Sequence, residues 1–172
     1  MNICIEFLML KSQKLTRKLL ESCLTKDIKI TTAESCTGGL LSANITGIAG
    51  SSAVFSYGII CYSNESKIKF LNVDDKTLKS HGAVSVETVR EMLAGLCTQA
   101  ESKTLTIAIS GVAGPSGSES KPVGLVFIGV KISSNNTEVI TEHNFGNIER
   151  KKIQQKSVHE ALKIGLNIIR EI

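Results

Sequence analysis

The sequence predicts an α/β protein, a three-layer α/β/α sandwich around a mixed, mostly parallel sheet, and three observations carry that expectation. Short apolar, β-branched runs alternate with segments whose apolar residues recur at helical spacing, the pattern of a sheet covered by helices. Two β-like runs, Val123 to Ser133 and Glu138 to Phe145, are separated only by the turn-rich SSNN, so part of the sheet is antiparallel. With 172 residues, 42% of them hydrophobic, the chain suffices for one domain (1–172) with its own core, without disulfides or a structural metal.

From Leu10 to Lys26, Leu15, Leu19, Leu20, Cys23 and Leu24 mark an amphipathic helix. The apolar start before it lacks a basic flank and a cleavage site and is too short to span a bilayer. It carries no targeting signal, and with Met9 as the functional start residues 1–9 read as a dispensable extension. Ile28 to Thr32 reads as a strand, and TTAESCTGGLLS then turns into the start of a second helix. Ala53 to Tyr62 reads as another strand, followed by short helices over Asn64 to Leu71 and Asp74 to Ser80. In HGAVSVETV, Ser85 is placed to accept from first-turn amides and Glu87 to meet the helix dipole, opening a helix to about residue 100. Leu105 to Ser110 reads as a buried strand that delivers the loop GVAGPSGSESKP. A helix from Arg150, with Ile153, Val158, Leu162, Leu166 and Ile169 on its apolar side, closes the chain.

Composition narrows the function classes. The net charge is +4, but basic residues are scattered apart from Arg150, Lys151 and Lys152, and aromatics make up 4%, so stacking platforms for nucleic acid are scarce. No segment reads as a membrane span. Five widely spaced cysteines with no CxxC pair suggest neither a zinc cluster nor a disulfide framework, and a reducing cytoplasm is the expected setting. A mildly basic surface suits an anionic small molecule.

Two turns, around residues 34 to 39 and 110 to 117, leave predicted strands at their carboxyl ends, where ligands gather in α/β sheets. The amides of Cys36, Thr37 and Gly38, and the small residues Ser110, Gly111, Gly114 and Gly117, suit an anion or oxyanion. Neither loop has the GxGxxG or GxxxxGK[ST] spacing, so each reads equally as a structural turn or a binding loop. Ser35 alone reads more readily as a helix cap than as a nucleophile. None of His81, His143 and His159 is marked as its base by its neighbours. Lys67 can serve if burial lowers its pKa, although a lysine there is ordinarily solvated surface.

Taken together, TTAESCTGG, GSSAVFSYGIICYSNESK, HGAVS, SGVAGPSGSESKPVG and a late NFG with Arg150 resemble, in that order, the C-terminal domain of the CinA competence/damage-inducible family. The likeness covers roughly residues 10 to 170. It implies hydrolysis of the carboxamide of nicotinamide mononucleotide to nicotinate mononucleotide and ammonia, with no metal or cofactor, by a homodimer. The family's serine, tyrosine and lysine match Ser35, Tyr62 and Lys67. On that reading Ser35 attacks, neutral Lys67 takes its proton, Tyr62 bridges or orients the pair, and the Cys36, Thr37 and Gly38 amides hold the oxyanion. The 110 to 117 loop, with Lys121 or Arg150, is assigned to the 5′-phosphate. The C-terminal motif departs from the family: Asn147 and Ile148 intervene before Arg150, and Gln154 stands where a second arginine is usual, which puts phosphate affinity in question. Two other readings stay open: a catalytically silent nucleotide-binding or protein-interaction module, and hydrolysis of another amide or ester.

Overall fold

The sheet is built outward from one central strand, β1 (Lys29–Glu34), in a computed structural model that describes residues 3–100, 103–117, 121–135 and 137–172. β1 is flanked in parallel by β2 (Phe55–Ile60) and by β3 (Thr104–Gly111). β4 (Leu125–Ile132) runs against β3, and β5 (Glu138–Asn144) against β4, giving the order β2-β1-β3-β4-β5. Four strands therefore point one way and β4 alone opposes them, which is the mixed, mostly parallel sheet expected.

The burial of each strand follows its place. β3 is buried along both faces: Leu105, Ile107 and Ile109 pack under α1 (Ile3–Thr25), α2 (Leu40–Thr46) and α6 (Arg150–Glu171). Ala108 faces the opposite cluster, built on α3 (Asn64–Leu71), α4 (Asp75–His81) and α5 (Val86–Thr98). The edge strand β2 alternates half-buried and exposed positions, as expected where one face is wet. A Cβ at Gly95 would collide with the Leu71 carbonyl, so α5 packs directly on the end of α3.

Several boundaries differ from expectation. α1 begins at Ile3 rather than Leu10, because the apolar start has no helix breaker and simply continues the helix. Gly50, at φ 85°, opens a single 3-10 turn over Ser51–Ala53, so β2 begins at Phe55 and the strand expected over residues 53 to 62 is shorter at both ends. Residues 118–120 of the long loop lie outside the described residues.

After β1 the chain leaves through α2 toward β2, whereas after β3 it turns back into β4 on the other side. Neighbouring strands whose connections diverge leave a crevice at their carboxyl ends. The turns following β1 and β3 meet there.

Candidate active site

Ser35 is the first residue past β1, and its amide donates to the Ile109 carbonyl at 3.0 Å, carrying the ladder to β3 one step further. It is no helix cap. α2 starts five residues later behind Gly39, which sits at φ 95°. The capping work falls to Glu34, the last residue of β1, whose side chain is fully buried. Its Oε2 accepts from the amides of Gly39 (3.1 Å) and Leu41 (3.0 Å), and its Oε1 from the Ser42 amide (2.8 Å) and hydroxyl (2.7 Å). The positive end of α2 is thus already met by a carboxylate and does not serve as the anion site expected of it. Gly38 is also lost as an oxyanion donor, since its amide closes a turn on the Ser35 carbonyl at 3.1 Å. Among the described residues, the amides of Cys36 and Thr37 have no carbonyl or carboxylate partner.

Lys67 comes from α3, which a reciprocal pair of hydrogen bonds between Ser63 and Ser66 starts in register. Lys67 and Leu71, one turn apart, form the buried side of this helix, and Lys67 is 1% exposed. Its Nζ lies 3.1 Å from Ser35 Oγ, 2.8 Å from the Cys61 carbonyl and 3.5 Å from the Tyr62 carbonyl. Burial is the largest influence on this amine and pushes its pKa down, against the opposing pull of Cys61, Cys36 and Glu65. Three oxygens thus surround Nζ, two of them carbonyls and the third the Ser35 hydroxyl. The solvated-surface alternative for Lys67 is thereby removed. The neighbouring Cys36 thiol is pushed up to about 12, chiefly by burial, and stays protonated.

Tyr62 does not occupy the place expected of it. Its side chain is 60% exposed, and its hydroxyl meets Arg150 Nη2 at 2.9 Å rather than Lys67 or Ser35. The chain leaves β2 with the Tyr62 carbonyl turned toward Lys67 and the ring turned outward, so only its main chain touches the Ser35–Lys67 pair. Arg150, the first residue of α6, also donates Nη1 to the Gly114 carbonyl at 2.6 Å, strapping the end of β2 to the loop after β3.

Between these walls lies a cavity of about 300 Å³ lined by Ser35, Cys36, Tyr62, Lys67, Ser110, Gly111, Gly114 and Arg150, among others. Ser110, itself buried, donates Oγ to the Ala83 carbonyl at 2.6 Å and so pins the HGAVS segment against the floor. Thr37, Gly38, Gly117 and Lys121 do not line it. Gly117 packs so close to the Lys121 carbonyl that a Cβ would sit 2.9 Å from it, and Lys121 lines a separate depression with His81, Ser85 and Glu87. Arg150 alone is left of the two cations proposed for a phosphate.

Gln154, one turn along α6, donates Nε2 to the Cys36 carbonyl at 2.9 Å and lies outside the Ser35 cavity. Sequence reasoning missed what Glu34 does, because no local capping motif spans the five to eight residues between this acid and the amides it serves. Among the described residues, no group of three His, Cys, Asp or Glu side chains is placed to hold a metal ion, and no helix is long and apolar enough to cross a membrane.

The family model of the CinA C-terminal domain matches residues 12–169. The chain belongs to the CinA C-terminal domain family. A CinA-like protein of Fusobacterium nucleatum is 44% identical over 145 residues, which is 84% of this chain and 34% of that protein. A CinA-like protein of Petrotoga mobilis is 39% identical over 96% of this chain, and again only 40% of that relative is covered. Among solved structures, the competence/damage inducible protein CihA from Agrobacterium tumefaciens superposes with a TM-score of 0.86 at 38% identity, covering 91% of this chain and 96% of that one. The CinA superfamily protein of Klebsiella pneumoniae gives 0.87 at 30% identity, covering 94% and 99%. The CinA fold is therefore shared over nearly the whole chain, whereas the chain spans well under half of the curated relatives cited.

Proposed function

We propose that this chain is an amidohydrolase that cleaves the carboxamide of nicotinamide mononucleotide, releasing nicotinate mononucleotide and ammonia. The observation that carries the reading is the buried lysine amine 3.1 Å from a serine hydroxyl, with two carbonyls facing its other positions. Ser35 Oγ attacks the amide carbon as its proton passes to neutral Lys67. The C–O bond forms, and the carbonyl oxygen takes up negative charge beside the free amide of Cys36. Collapse breaks the C–N bond, and Lys67 returns the proton to the departing nitrogen, so ammonia leaves. Water then attacks the acyl-Ser35 ester, gives a proton to Lys67, and releases the carboxylate as Lys67 reprotonates Ser35. Arg150 uses one N–H on Gly114 and one on Tyr62, leaving three of its five donors for the substrate phosphate. Family resemblance adds a homodimer to the same proposal, and the cysteine pattern adds a reducing cytoplasm; gel filtration tests the oligomeric part.

The deciding experiment measures ammonia release from nicotinamide mononucleotide by the wild type, Ser35→Ala and Lys67→Ala. Turnover in the wild type, abolished by Ser35→Ala and reduced ~10²- to 10⁴-fold by Lys67→Ala, is the expected result. Undiminished turnover in Ser35→Ala removes the nucleophile assignment, and a wild type that binds without turnover turns the reading toward a silent nucleotide-binding module.

A further inference from the structure

Two peptide units decide where the free amides after Ser35 point. A peptide is planar, with its carbonyl and its N–H directed oppositely, so whatever holds the carbonyl also aims the N–H. In the Ser35–Cys36 unit the carbonyl is turned into the turn by the Gly38 amide. That sends the Cys36 N–H outward. In the Cys36–Thr37 unit the carbonyl is held by Gln154 Nε2 at 2.9 Å. Gln154 lines a separate depression with Leu40 and Gln155 and does not line the Ser35 cavity. Both peptide planes that flank Cys36 are therefore held, and Cys36, which does line the Ser35 cavity, keeps its free amide between them.

We propose that Gln154 is a positioning residue: together with the Gly38 amide on the Ser35 carbonyl, it holds the two peptide planes that flank Cys36, so that the Cys36 N–H keeps its place in the cavity as a donor to the oxyanion. The proposal rests on Ser35 being the nucleophile of the reaction above, and it gives position 154 a different duty from phosphate contact. α6 then serves the site twice, with Arg150 in the cavity and Gln154 on the Cys36 carbonyl. A donor aimed before the reaction costs no reorganisation when charge develops, and loss of such a donor lowers kcat by ~10²- to 10³-fold. Releasing the peptide without removing the amide gives a smaller loss.

The test compares Gln154→Ala, Gln154→Glu and Gln154→Arg with the wild type. Gln154 is half-buried at the helix surface, and melting curves check that each variant is folded. With nicotinamide mononucleotide as substrate, Gln154→Ala is expected to lose about tenfold or more in kcat with KM unchanged. Gln154→Glu, whose carboxylate repels the carbonyl, loses more, and Gln154→Arg, which keeps a donor, stays near the wild type. In parallel, a fluorophosphonate probe reads Ser35 directly: the Oγ–P bond forms, fluoride leaves, and the proton goes to Lys67. The same order in phosphonylation rate, with no turnover of nicotinamide mononucleotide by the wild type, retains the positioning role and removes only the substrate assignment. Wild-type kcat and phosphonylation in Gln154→Ala overturn the inference while leaving the function intact. So does a change confined to KM, the signature of a phosphate contact. A wild-type Ser35 that neither turns over substrate nor is phosphonylated removes both.

Discussion

Glu34→Gln is the sharpest test of how the site is held together, because it replaces one carboxylate oxygen by an NH₂ and changes little else. In the wild type Oε2 serves the amides of Gly39 and Leu41 and Oε1 serves the amide and hydroxyl of Ser42. The cheaper orientation of glutamine keeps its oxygen on Gly39 and Leu41 and places the NH₂ against Ser42. The Ser42 hydroxyl can then turn, accept from the NH₂ and donate to Thr32 Oγ1, which lies 2.8 Å away. The Ser42 amide has no such escape and is left unpaired in a half-buried place, at ~1 to 3 kcal/mol. Loss of the negative charge at the α2 N-terminus adds ~0.3 to 1 kcal/mol, up to ~2 when partly buried. The sum is about 3 kcal/mol, which for a chain of this length lowers Tm by roughly 6 to 12 °C. Urea unfolding followed by circular dichroism, with the m-value compared between the proteins, is the assay. A loss below about 1 kcal/mol at unchanged m refutes the account of Glu34 as the buried cap of α2.

Tyr62→Phe removes only the contact with Arg150, so kcat is expected to stay near wild type while KM for nicotinamide mononucleotide rises by at most about tenfold, from a bond worth ~0.5 to 1.5 kcal/mol. A large fall in kcat restores the tyrosine hydroxyl to the proton path. Turnover is expected to increase with pH through the depressed pKa of Lys67, because only the neutral amine accepts the Ser35 proton; a flat profile in initial rates from pH 5 to 8 contradicts this. The same depression has a stability sign. Between the folded and unfolded pKa values of Lys67 the unfolded chain binds more protons, so stability rises with pH across that window up to about 10.4. Lys67→Met lacks this rise, and parallel Tm series for the two proteins over that range measure the difference.

Much of the architecture is legible in one dimension because it depends on local pattern. Helical periodicity reports α1 and α6, the Ser85 and Glu87 start signals report α5, an unbroken apolar run reports β3, and four turn residues report the hairpin of β4 and β5. The Ser35, Lys67 and Arg150 assignments came from ordered motifs, and the fold brings those three to one cavity. What sequence pattern could not reach is the direction of groups that share a residue number. Tyr62 turns its carbonyl to the lysine and its hydroxyl away, and of three glycine-rich-loop amides only two are free, because Gly38 is spent on closing the turn.

By itself the sequence determined the fold class and most of the element order, since periodicity and turn chemistry are properties of neighbours along the chain, while the pairing of Ser35 with Lys67 came from the family resemblance. Only the tertiary structure decided that Glu34 occupies the helix end expected for an anion, that Lys121 lies outside the cavity, and that Gln154 reaches the Cys36 carbonyl across a separation of 118 positions. The physical reason is directional: a hydrogen bond depends on where a donor points, and that is settled when distant segments pack against each other.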